Sequence, residues 1–113
     1  MKLSQIKEAL DLDCVYECQE DCDFLHVFAS DLMSDALAMI DDGETTLFLT
    51  GLVNMQSLRT AEMLDIHTIL FVRHKMPDEA MIETAKELGL NLYVTSMTMY
   101  EACGLLYKGG MKP

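Results

Sequence analysis

Three cysteines at equal intervals, Cys14, Cys18 and Cys22 in CVYECQEDC, carry the first chemistry this sequence offers: metal ligation or thiol exchange. Backbone geometry decides how far that goes. On a strand Cys14 and Cys18 share a face but stand about 13 Å apart, too far to hold one metal. On a helix they are neighbours one turn apart. Val15 and Tyr16 favour the strand. A turn over Gln19–Asp23 would still bring Cys18 toward Cys22. The second cysteine or histidine pair of a zinc site does not follow in the expected pattern. Surface or half-buried thiols are therefore the plainer reading, and metal ligation by Cys14, Cys18 and Cys22 stays open as the sharper one. Cys103 falls with Met99 and Leu106 on the apolar face of the last helix and reads as core.

A second set of polar residues is scattered along the chain and becomes a set only if the fold gathers it. The apolar pattern alternates short runs with amphipathic stretches, the signature of an α/β layer fold. Leu3–Leu10 reads as a helix with Ser4 near its start, and Cys14–Glu17 as a short strand. Phe24–Ala29 reads as a strand covered on both faces. Asp31–Asp41 follows as a helix, capped by Ser30 or Asp31 and ended by Gly43, with Leu32, Met33, Ala36, Leu37 and Ile40 inward. Then come a strand at Thr46–Leu49, a helix at Asn54–Leu64 and a strand at His67–Val72. Pro77 opens a helix that Gly89 closes, Asn91–Thr95 is the last strand, and Thr98-x-x-Glu101 is a capping box for the final helix. From Phe24 onward this is β-α-β-α-β-α-β-α, which demands parallel strands, right-handed crossovers and helices on both faces.

In open parallel sheets ligands bind at the carboxyl ends of the strands. Those ends deliver Ser30 and Asp31, then Thr50, Gly51 and Asn54, then Arg73 and His74, then Thr95 and Ser96. This is a hydrogen-bonding rim with one firm cation, Arg73, and a helix N-terminus beyond each strand suited to an anion. Each member also has a plain role: Ser30 and Asp31 as helix caps, Thr50-Gly51 as a tight turn, Arg73-His74 as an exposed loop. His26 reads as a half-buried strand residue and His67 as a solvated one. No phosphate loop of the G-x-x-x-x-G-K-[ST] type and no G-x-G-x-x-G is present,. No Ser–His–Asp set can be assigned by spacing.

Charge narrows the partners. The 113 residues carry a net charge of −11. Residues 1–45 hold 12 acids against Lys2 and Lys7, and the remainder is nearly neutral. Phosphate backbones and anionic membranes need basic surfaces, so nucleic acid and membrane are excluded as partners. The longest uncharged stretch, Thr45–Leu58, is 14 residues, short of the roughly 20 a spanning helix needs,. The first residues lack the apolar run of a secretory signal. The expectation is one domain over residues 1–113, cytoplasmic, with reduced thiols.

Three stretches carry a family resemblance: ASDLMSDALA (Ala29–Ala38), ILFVRHKMPDEAMIETAKELGLNLYVT (Ile69–Thr95) and YEACGLLYKGG (Tyr100–Gly110). In order and spacing they resemble the small stand-alone DRTGG-domain proteins, and KLSQIKEAL near the start is similar too. The Asp-Arg-Thr-Gly-Gly signature is absent; the corresponding loop reads TGLVN. The resemblance implies a three-layer α/β/α fold with a mostly parallel, mixed central sheet, similar to the N-terminal domains of HPr kinase and the Mur ligases. It also implies an accessory, dimerising or regulatory module, in a subgroup associated with iron-only hydrogenase and electron-transfer subunits.

The combined expectation is a non-catalytic regulatory homodimer with no resident cofactor. It would bind a small anion such as a nucleotide at the strand ends. The alternative is a thiol- or metal-binding accessory factor whose partner is a redox enzyme subunit. A small hydrolase using Asp31 or His74 ranks last.

Overall fold

A computed structural model of the chain describes residues 1–19 and 22–113. Helix α1 (Leu3–Leu10) and strand β1 (Asp13–Tyr16) come first, followed by β2 (His26–Ala29), α2 (Met33–Met39), a 3₁₀ turn at Gly43–Thr45 and β3 (Thr46–Thr50). Then α3 (Met55–Met63), β4 (Thr68–Phe71), α4 (Glu79–Leu88), β5 (Asn91–Val94) and α5 (Met99–Lys108) complete the chain. The five strands are ordered β1-β5-β4-β3-β2. β2 to β5 are parallel, and β1 joins the β5 edge antiparallel, with Cys14 opposite Tyr93. This is the expected three-layer α/β/α arrangement with a mostly parallel sheet.

The strands alternate their side chains between two cores. Phe48, Ile69, Phe71, Leu92 and Val94 face α2, α3 and α4. Leu47, Leu49, Leu70, Val72 and Tyr93 face α1 and α5. Burial on both faces explains why β3, β4 and β5 are nearly unbroken apolar runs; each fully buried Leu, Ile or Phe contributes about 1.5–3 kcal/mol,.

Local caps set the later helices. Asp78 accepts the Met81 N–H at 2.9 Å to start α4 behind buried Pro77, and Gly89 ends it at φ 70°. Thr98 and Glu101 form the capping box of α5. At the start of the chain the Gln5 side chain accepts the Lys2 N–H, while Ser4 is exposed and takes no part.

Two expectations change. The helix expected over Asp31–Asp41 is the shorter α2, whose N-cap is Leu32 and whose last turn ends extended at Ile40. Leu32 and Leu37, expected inward, are exposed because α2 covers an edge strand and has a neighbouring helix on one side alone. Gly43 does not cap that helix; it lies against backbone, where an added Cβ would stand 1.8 Å from the Leu64 carbonyl oxygen. Second, β1 and β2, on either side of the turn read over Gln19–Asp23, do not pair with each other. They lie at opposite edges of the sheet, and the turn expected over Gln19–Asp23 includes Glu20 and Asp21, which fall outside the described residues.

Candidate functional site

The rim at the carboxyl ends of β2, β3 and β4 is organised around Gly51. Asp31, just past β2, does not cap α2. Its Oδ1 reaches across to β3, accepting the Gly51 N–H at 2.6 Å and the Thr50 hydroxyl at 3.4 Å. Thr50 Oγ1 in turn accepts the Leu52 N–H at 3.0 Å and shapes the turn. Gly51 is buried at the floor, and a Cβ there would meet the Arg73 guanidinium at 2.9 Å and Asp31 Oδ1 at 3.2 Å. Arg73 and Asp31 therefore both close on one glycine. Lys75 Nζ donates to the Gly51 carbonyl at 3.2 Å.

The backbone of the basic turn is strained. Arg73 and His74 both adopt left-handed conformations, φ 58° and 55°. Such a conformation costs a non-glycine residue about 1–2 kcal/mol. Two hydrogen bonds offset it: the Arg73 and His74 N–H groups donate to Met97 O and Thr95 O, each at 2.8 Å. The turn after β4 is thus tied to the turn after β5, and Arg73, His74 and Lys75 stay exposed. Among the described residues neither Arg73 nor Lys75 has an ion-pair partner.

The other rim candidates are engaged locally. Ser30 Oγ accepts the Leu32 N–H at 3.0 Å. Asn54 Oδ1 caps α3 through the Gln56 and Ser57 N–H groups at 3.0 and 3.3 Å. Thr95 is buried; its hydroxyl donates to Leu10 O at 2.9 Å and accepts the Met97 N–H at 3.2 Å. Ser96 is exposed beside it. The fold thus converges Asp31, Thr50, Gly51 and Arg73 and adds Lys75, which the sequence reading passed over. Its signal was available: Arg73-His74-Lys75 is the densest basic segment of an acidic chain. The parallel strands follow one another without reversal, so the rim has no topological switch point to part its loops,.

Cys14, Cys18 and Cys22 lie at the opposite sheet edge. Cys14 is on β1 across from Tyr93, and the Cys18 thiol donates to Gly89 O at 3.0 Å. Cys22 Sγ faces Gln19 O and the Asn91 amide, each at 3.6 Å. Buried Asn91 orders this segment by accepting the Cys18 and Gln19 N–H groups at 2.9 and 3.1 Å and donating to Gln19 O and the Thr68 hydroxyl at 3.0 and 3.2 Å. Among the described residues no three His, Cys, Asp or Glu side chains are grouped to hold a metal. Burial, then the Glu17 charge, push the Cys14 thiol up, and burial raises Cys103, so both favour the protonated form,.

Between cysteines and core stands one polar cluster. The Glu17 carboxylate accepts from Lys7 Nζ at 2.5 Å and from the Tyr93 hydroxyl. The Lys7 hydrogen bond, then that of Tyr93, holds the Glu17 carboxyl below the usual carboxylate range. Burial, reinforced by Glu17, pushes the Tyr93 phenol well above its ordinary value. The cluster fastens α1, β1 and β5 together. A phenol held protonated beside a carboxylate is a tether and not a proton-transfer pair at neutral pH.

No helix among the described residues is long and apolar enough to cross a membrane. No family model matches the chain, and no curated protein sequence matches it. A solved structure does: the CBS and DRTGG domains of the regulatory region of Clostridium perfringens pyrophosphatase, complexed with its activator, diadenosine tetraphosphate. The superposition has a TM-score of 0.74 at 14% sequence identity and covers 92% of this chain. It covers 45% of that chain, so the present protein spans about half of its structural neighbour. At that identity the likeness is one of fold, and it supports a DRTGG-like α/β architecture for this chain.

Proposed function

We propose that this chain is a non-catalytic regulatory or accessory domain, working as a homodimer, that binds a small anion such as a nucleotide at the ends of β2, β3 and β4. The observation that carries the reading is the strained Arg73-His74-Lys75 turn. It sets two cations, without ion-pair partners among the described residues, around Gly51 in a protein of net charge −11. Strain of this kind persists where surrounding structure imposes it and clusters at ligand sites. Arg73 supplies the planar fork suited to phosphate oxygens, and Lys75 a point charge. Asp31 spends Oδ1 on the Gly51 N–H and the Thr50 hydroxyl, leaving Oδ2 to accept from a sugar hydroxyl. The structural neighbour is a regulatory region complexed with a dinucleotide activator, which is in keeping with this role.

Thermal unfolding in the presence of AMP, ADP, ATP, diadenosine tetraphosphate and inorganic phosphate tests the ligand. A ligand present at 100 times its Kd adds about 2.7 kcal/mol of stability, a shift on the order of 10 °C for a domain of this size. The expected result is such a shift with at least one nucleotide and a clearly smaller one with the Arg73→Ala variant. An unchanged transition across the whole panel would overturn the ligand reading.

A further inference from the structure

The β2 edge of the sheet is flanked by two apolar banks. On one side α2 leaves Leu32 57% and Met39 67% exposed; on the other α5 leaves Tyr100 88% and Tyr107 67% exposed. A cavity of about 160 Å³ opens between β2 and the end of α2, lined by His26, Phe28, Met39 and Asp41 among others. A second, of about 170 Å³, opens between β2 and α5, lined by Val27, Ala29, Cys103 and Tyr107 among others. The strand between them is incompletely paired. Ser30 N–H points inward to Leu49 O and Val27 N–H outward to Lys112 O, so by alternation the Ala29 backbone faces outward past the end of that bridge,.

The banks differ in charge. Asp35, Asp41 and Asp42 border the α2 side. Lys108 ends α5, and Lys112 lies on the same side with its ammonium over the Tyr107 ring. We infer that this edge is a two-fold interface in which the α2 bank of one copy packs on the α5 bank of a second copy. The charges decide the symmetry. An axis perpendicular to the sheet sets α2 against α2, acid on acid. An axis parallel to β2 sets the acids of each copy against the lysines of the other, and both contacts recur as a closed isologous pair requires. Leu32 and Met39 then cover Tyr100 and Tyr107, placing aromatic anchors inside a charged rim.

This inference rests on the homodimeric half of the proposed function, and light scattering after size exclusion separates the two. The expected mass is twice the 12.7 kDa of the chain. Met39→Glu and Tyr107→Glu are each expected to raise the dimer dissociation constant at least tenfold, while Met63→Glu on exposed α3 leaves it unchanged. Lys108→Glu is expected to weaken the dimer, and adding Asp41→Lys to the same chain to restore it, a rescue that a folding defect would not show. A monomer at every concentration overturns the homodimer itself. A dimer indifferent to Met39→Glu, Tyr107→Glu and Lys108→Glu overturns this interface and leaves the homodimer standing.

Discussion

Asp31 shows how one side chain changes meaning between sequence and fold. As a residue before a helix it reads as a cap. In the structure it bridges two strand ends, because the Gly51 N–H at the end of β3 is a nearer donor. Glu17, at the other edge, is a half-buried tether that takes hydrogen bonds from Lys7 and Tyr93. Its folded pKa is depressed, so its contribution to stability is complete above the ordinary carboxylate value of about 4.3 and is lost as the pH falls through the lower folded value,. Glu17→Gln is therefore expected to destabilise the protein at pH 7 by about 1–2 kcal/mol and to flatten the acid limb of its stability profile. Urea unfolding from pH 7 to pH 3 reads this. An acid limb as steep in the variant as in the wild type would remove Glu17 from that role.

At the scale of elements, legibility followed locality. Helices α4 and α5 were readable because their signals are their own: Pro77, Gly89, Thr98 and Glu101 act within a turn of where they stand, and Asp78 supplies the cap itself. The partner of β1 was not readable, since the pairing of Cys14 with Tyr93 spans most of the chain and four residues carry little pattern. The limits of α2 were misread because an edge helix buries a narrower stripe than its apolar content suggests; Met33 and Ala36 are covered, Leu32 and Leu37 are not. Gly43 is the sharpest such difference, a close approach of two backbones where a helix stop was expected. Gly43→Ala is expected to cost about 2–4 kcal/mol, because a carbonyl cannot yield as a side-chain tip can. Gly89→Ala, where an added Cβ meets open space but φ is 70°, is expected to cost about 1 kcal/mol,. Equal losses in denaturant unfolding would argue against close approach as the reason for Gly43.

For the whole molecule, the parallel sheet gathers a basic turn, a glycine floor and a carboxylate at one end, and keeps the cysteine-bearing edge apart from them. The rule for strand ends named Asp31, Thr50, Gly51 and Arg73 from sequence. It also named Thr95, whose hydroxyl turned inward to Leu10 because α1 closes over that end of β5, a contact between residues 85 apart that no local pattern carries. Calorimetric titration of the wild type, Gly51→Ala and Arg73→Ala with ATP and diadenosine tetraphosphate tests the central claim most directly. Gly51→Ala displaces only the mobile tip of Arg73 and the nearby Asp31 carboxylate, so its stability should stay within about 1 kcal/mol of the wild type,. The account predicts measurable heat for the wild type with at least one of the two nucleotides, and binding at least tenfold weaker in both variants. No heat in the wild type, or undiminished affinity once Arg73 is removed, would contradict it.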